Sequence, residues 1–249
     1  MGEPGRARST TGGDRAILRM LLGTHLPFLV VVWAAFAVLV TVVTVVVSLF
    51  QEVEISGWDV AGSMLRWVAL FYGWWWVGQF LPVCLTHGRT RREFAVEVTF
   101  FVAVASTVLA ALMTLGYGAE KVLYDFRGWG QEFQEHRIYD SVRDYPTIFL
   151  TYWVVLLIWS TMGMILKAGS GHQNEGVGLF ATLPVVGLGL LSIAGTGADN
   201  LFGLGTLAPS WFGEFSPNMM ILMVLGYAAG VSITWVLVRS FPLPPAGNQ

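Results

Sequence analysis

Residues 81–97 read LPVCLTHGRTRREFAVE. A long apolar run stops here, three arginines fall within four positions (Arg89, Arg91 and Arg92), and a second apolar run begins. His87-Gly88 has the composition of a helix end, because glycine takes the left-handed conformation that closes a C-terminus. Thr90-Arg91-Arg92-Glu93 has capping-box spacing: the threonine oxygen can accept the Glu93 amide while the Glu93 carboxylate reaches back to the Thr90 amide. One helix therefore stops at Gly88 and another starts at Thr90. Arginines in a first helical turn oppose the helix dipole by roughly 0.3–1 kcal/mol each, so helix stability does not account for them. Two explanations remain. One is the excess of positive charge on cytoplasmic turns of membrane proteins; the other is a docking knuckle for a cytoplasmic partner.

The flanks of this elbow are representative of the whole chain. Of its 249 residues, 55% are hydrophobic and only 12% charged, about half the charged share of a soluble globular protein. Uncharged runs cover Leu26–Gln51, Trp67–Gly88, Val98–Ala119, Tyr145–Leu166, Gly176–Ala198 and Phe215–Val238. Each is long enough for a helix to cross about 30 Å of hydrocarbon, which takes roughly 18–20 residues. Barrel strands would be about ten residues long with alternating polarity, and no such alternation appears. The sequence predicts an all-α membrane protein of six transmembrane helices, with spans at about 25–49, 60–85, 94–115, 145–166, 177–194 and 218–238.

The net charge of −2 says little, but its distribution orients the chain. With the N-terminus inside, nine basic residues fall on the cytoplasmic side: Arg6, Arg8, Arg15, Arg19, Arg89, Arg91, Arg92, Lys167 and Arg239. Eleven of the sixteen acids, from Glu52 to Glu214, fall outside. The remaining outer bases sit in one long loop, where the positive-inside rule is weaker. Both termini are therefore expected in the cytoplasm, and the protein in the cell membrane. The lone Cys84 admits no intramolecular disulfide and makes a structural metal site improbable; its thiol is expected on a helix surface.

Residues 1–13 read as a disordered tail and 241–249 as a short C-terminal one, with residues 14–240 forming a single membrane domain. Asp14 can cap a short helix carrying Arg15 and Arg19 on one face and Ile17, Met20 and Leu21 on the other. That is the pattern of a helix lying in the membrane interface, although a charged lead-in to the first span reads equally well. Span one, Val-rich with Pro27 in its first turn, reads as lipid-facing. Span two carries one charge, Arg66, shallow enough to snorkel outward or to pair with an acid such as Glu120. Glu97, one turn above the elbow, is expected to pair with Arg89 or Arg92. Pro184, Gly187 and Gly189 mark span five as the one to be packed inside or to move.

Two further segments stand out. Gly116–Asp144 is the longest loop, and its aromatic residues among mixed charges suggest a partly helical outer cap, broken at Gly128-Trp129-Gly130. Gly195–Pro217 is glycine-rich and almost uncharged, so it can re-enter the outer membrane face where protein covers its backbone. No intact catalytic motif appears in the chain. Ala168-Gly169-Ser170-Gly171 and Gly195, Gly197 and Asp199 each miss a protease signature by one residue. There is no phosphate-binding Gly-x4-Gly-Lys-(Ser/Thr) loop, no His-Glu-x-x-His and no Cys/His cluster. The chain is accordingly expected to be no enzyme and to hold no cofactor or metal of its own; nothing points to nucleic acid.

One family shares these features. A span with Pro-x-x-Leu near its end, then Gly-x-(Thr/Ser)-Arg-Arg-x-Phe entering the next, resembles the membrane subunits of ABC-2 type ABC transporters. The matching residues are Pro82, Leu85, Gly88, Thr90, Arg91, Arg92 and Phe94. In that family the elbow between the second and third spans couples to the ATP-binding subunit. A connecting helix before the first span touches the same subunit, and re-entrant helices precede the last. The resemblance implies a coupling elbow at His87, Arg89, Thr90, Arg91, Arg92, Glu93 and Phe94, and a contact helix bearing Arg15 and Arg19. It implies a permease subunit, expected to work in export, paired with a second copy or a related permease. ATP and magnesium would be bound by the partner ATPase. The competing expectation is a membrane scaffold or sensor that moves nothing.

Overall fold

Each uncharged run is matched by a helix covering most of it. The computed structural model describes residues 16–53, 55–130, 132, 141, 143–172, 175–196 and 217–241. They form α1 (Ala16–Val47), α2 (Gly57–Thr86), α3 (Arg91–Arg127), α4 (Tyr145–Ser170), α5 (Glu175–Thr196) and α6 (Pro217–Arg239). All six are long and apolar enough to cross a membrane. The only β pairing among the described residues is an isolated bridge between Ile55 and Glu132. The tail 1–13, Asp14 and Arg15, residues 131, 133–140 and 142 of the long outer loop, residues 197–216 of the predicted re-entrant segment and residues 242–249 lie outside the described residues.

Two helices differ from their predicted spans. Residues 16–24 are not a separate interfacial helix but the first turns of a continuous α1. Nothing there stops the helix: Gly23 keeps a negative φ, and Pro27 forfeits only one amide bond, to the carbonyl four residues back. The third helix runs twelve residues past its predicted end at 115, because its first true terminator is Gly128, with φ 70°. There the amide of Trp129 returns to the Tyr124 carbonyl at 3.0 Å, the long bond of a Schellman cap. Lys121 and Asp125, paired at 2.9 Å one turn apart, support the extension.

The centre of the bundle is α4, not α5. Residues from Thr151 to Ile165 of α4 are almost all buried, whereas α5 leaves Leu179, Phe180, Leu183, Val186 and Leu190 exposed. The proline and glycines of α5 loosen it without bringing it inside. What brings α4 inside is a close seam with α2. A methyl group added at Gly163 would strike the Leu70 carbonyl, and one at Gly73 would strike the Ser160 carbonyl. Lipid tails are as apolar as leucine, so helices in a membrane are held by close packing rather than by the hydrophobic effect, and small residues permit that approach. By contrast α1 sits at the periphery, with Val31, Val38, Val42 and Val43 facing outward as expected. Cys84 is buried rather than on a surface. Of the three consecutive tryptophans, Trp76 is fully enclosed while Trp74 and Trp75 stay partly exposed.

Contacts between helix ends settle the relative directions. Leu18 near the start of α1 meets Glu97 near the start of α3. Arg91 of α3 meets Arg239 at the end of α6, and His172 after α4 meets Ser240. The starts of α1 and α3 and the ends of α2, α4 and α6 therefore share one end of the bundle, called here the elbow end.

Candidate functional site

The elbow is two helix caps set back to back. At the end of α2, Gly88 has φ 74°, and its amide donates to the Leu85 carbonyl at 3.0 Å while the Arg89 amide donates to Cys84 at 3.0 Å. These are both bonds of a Schellman motif. His87 adds a third closure, its Nδ1 lying 2.8 Å from the Val83 carbonyl; because a carbonyl only accepts, Nδ1 carries the proton. At the start of α3 the predicted capping box is complete: Glu93 N donates to Thr90 Oγ1 at 3.2 Å, and Thr90 N donates to the Glu93 carboxylate at 2.8 Å. The last residue of one cap and the first of the next are neighbours, Arg89 and Thr90. There is no slack between the helices, so a push on the elbow reaches both as one lever.

Around this lever the predicted residues divide. Phe94 is buried and anchors the first turn of α3 in the core. His87, Thr90 and Arg92 are exposed, and Arg89, Arg91 and Glu93 are half-buried. Arg91 is held within the fold, where its Nη1 donates to the last carbonyl of α6, that of Arg239, at 2.5 Å. Helix C-termini leave such carbonyls without intrahelical partners, and a guanidinium satisfies them well. Arg92 is the arginine that projects outward.

Glu97 does not take an arginine as its hydrogen-bond partner. Its carboxylate accepts the backbone amide of Leu18 at 2.7 Å, buried between α1 and α3. An anion near a helix start answers both an amide without an intrahelical acceptor and the positive end of the helix dipole. The contact ties the start of α1, with Arg19 exposed beside it, to the helix that begins at the elbow. Arg15 lies outside the described residues.

At the opposite end of α2 and α3 the structure holds a polar cluster that sequence reasoning reaches only through Glu120. Ser56 caps α2, accepting the Asp59 amide at 3.2 Å, and its hydroxyl donates to the Glu120 carboxylate. The other Glu120 oxygen accepts the Trp58 amide at 3.1 Å. Tyr117 donates to Asp59 at 3.1 Å and lies 2.8 Å from the Tyr152 hydroxyl. Since the Tyr117 proton goes to Asp59, Tyr152 is the donor in that second bond. Asp59, Glu120 and Tyr117 are all buried. The missed signal is the spacing of Tyr117, Glu120 and Tyr124, three and four residues apart and so on one helix face. Arg66 neither snorkels to the surface nor sits alone: it is 4% exposed, with its guanidinium over the Trp159 ring at 5.8 Å.

Among the described residues no group of His, Cys, Asp and Glu side chains could hold a metal ion. No family model, curated protein or solved structure matches the chain.

Proposed function

We propose that this chain is the membrane-spanning permease subunit of an ABC-2-like transporter, driven through the α2–α3 elbow by a separate ATP-binding subunit. The observation that carries the reading is the elbow itself: two rigid caps with no intervening slack, a buried Phe94 anchor, and Arg92 presented to solvent. The family resemblance rests on the same elbow. Six helices with the start of α1 and the end of α6 at the elbow end suit such a subunit, and the Glu97–Leu18 contact gives the start of α1 a way to move with the elbow. Export, work as a pair of permease copies, and a cell-membrane setting with cytoplasmic termini belong to the same proposal.

The mechanism is differential docking. A partner can shift the helices only by binding their two arrangements with different affinity. Nucleotide-driven closure of the partner would displace the elbow, and α2 and α3 would tilt together because the caps transmit the displacement. The exposed arginine supplies orientation and charge complementarity rather than most of the affinity.

The test is co-purification from native membranes of wild type beside Arg92→Glu. That single reversal is cleaner than reversing Arg91, which would also unseat the end of α6. Recovery of a P-loop ATPase with wild type and its loss with Arg92→Glu supports the proposal. An intact protein that brings down no ATPase supports the scaffold or sensor instead.

A further inference from the structure

We propose that the groove between α3 and α6 at the elbow end seats an acyl chain of an anionic phospholipid, with the lipid phosphate held by Arg91 and Arg239. The groove has a volume of about 770 Å³; its walls include Phe94 and Ala103 of α3 and Val231 and Trp235 of α6, and its floor includes Val77 and Met164. From Phe94 to Ala103 it runs about 14 Å at 1.5 Å per helical residue, close to one leaflet of a hydrocarbon layer about 30 Å thick. The hydroxyl groups along it are already committed. Thr99 donates to Ala95, Ser232 to Ala228 and Thr234 to Gly230, each within its own helix. The channel therefore offers hydrocarbon contacts and no free hydroxyl, which suits a lipid tail.

Its mouth has the opposite character. Arg91 stands one turn before Phe94 and reaches across to the Arg239 carbonyl. The Arg239 guanidinium lies 5.4 Å over the ring of Trp235, a wall residue. Among the described residues no carboxylate comes within 4 Å of either guanidinium. Two like charges at the edge of an apolar groove repel each other, and a phosphate oxygen set would relieve both, since guanidinium forks match phosphate geometry. A second copy of the chain fits less well. A two-fold contact brings the same patch together from both sides, and here that would gather four guanidinium groups. The segment 242–249 has no Asp or Glu to offer. This proposal is independent of the permease reading: Arg92 serves the partner, while Arg91 and Arg239 serve the lipid.

Native mass spectrometry of the detergent-solubilised full chain tests it, with palmitoyl-oleoyl phosphatidylglycerol titrated against the phosphatidylcholine of the same acyl chains. Wild type should retain phosphatidylglycerol in preference. Arg239→Gln should cut that preference about fivefold, the effect of one cation near an anionic membrane surface. This variant leaves the backbone carbonyl that Arg91 needs, so α6 keeps its cap. Ser232→Trp, which fills the groove without touching the arginines, should lower retention of both lipids. Equal retention of the two lipids by wild type, an unchanged preference in Arg239→Gln, unchanged retention in Ser232→Trp, or a second protein chain in place of lipid would each overturn the proposal.

Discussion

Where α2 and α3 meet each other, their two ends use charge in opposite ways; the buried Glu97 near the elbow is met from α1 instead. At the elbow end Arg92 is exposed, and short-range backbone caps do the structural work around it. At the far end Asp59 and Glu120 are buried, and each carboxylate is met by donors from another helix. A charge that faces water contributes little to stability and stays available for recognition. A buried charge costs heavily unless fully hydrogen-bonded, so a satisfied one marks a fixed joint. The pair thus reads as a lever with a clamped end and a presented end. The close α2–α4 seam lies between them.

That contrast can be broken at graded depth. The largest effect is expected at the seam. Gly163→Leu drives a side chain into the Leu70 carbonyl, and the variant should yield no monodisperse protein by size-exclusion chromatography, whereas Gly187→Leu, open within 4 Å, should behave as wild type. Next comes the clamped end. Glu120→Ala strands the Ser56 hydroxyl and the Trp58 amide, at about 2–4 kcal/mol, and should lower the thermal midpoint measured in detergent. At the presented end Gly88→Val forces a β-branched residue into a left-handed conformation. It should cost about 1–2 kcal/mol, read from the same melts. Smallest in stability is Arg92→Glu, expected within about 0.5 kcal/mol of wild type yet the most damaging to partner recovery. If Arg92→Glu melts like Glu120→Ala, the presented end is a structural joint as well and the contrast fails.

How much of this is legible in the sequence follows from the range of each interaction. The elbow is readable to the residue, because Gly88, Thr90 and Glu93 act through bonds spanning three to five positions. The six helices are readable because uncharged runs of that length leave the backbone no alternative in a membrane. The centrality of α4 is not. It depends on Gly73 meeting the Ser160 backbone and Gly163 meeting the Leu70 backbone, partners far away in sequence, and the glycines and proline of α5 give the same local signal without so close a backbone partner. Glu97 is correctly singled out by its position but expected to meet the wrong kind of partner, since a backbone amide 79 residues away leaves no trace in composition. Helix past 115 and its break at Gly128 are anticipated; its continuity with the third span is not, because hydropathy ends where hydrocarbon ends, while helical hydrogen bonding does not. Adjacency groups Arg91 with Arg92, yet successive residues of a helix point in different directions, and one of them turns to α6.

The most direct test of the lever places a photo-crosslinking residue at Thr86, exposed at the elbow, or at Phe126, exposed at the far end of α3. Irradiation would be done in native membranes. Thr86 should capture an ATP-binding subunit, Phe126 should not, and adding Arg92→Glu should abolish the Thr86 product. Capture of that subunit from Phe126, or no ATP-binding subunit captured from Thr86 in a protein that is folded and inserted, would contradict the lever.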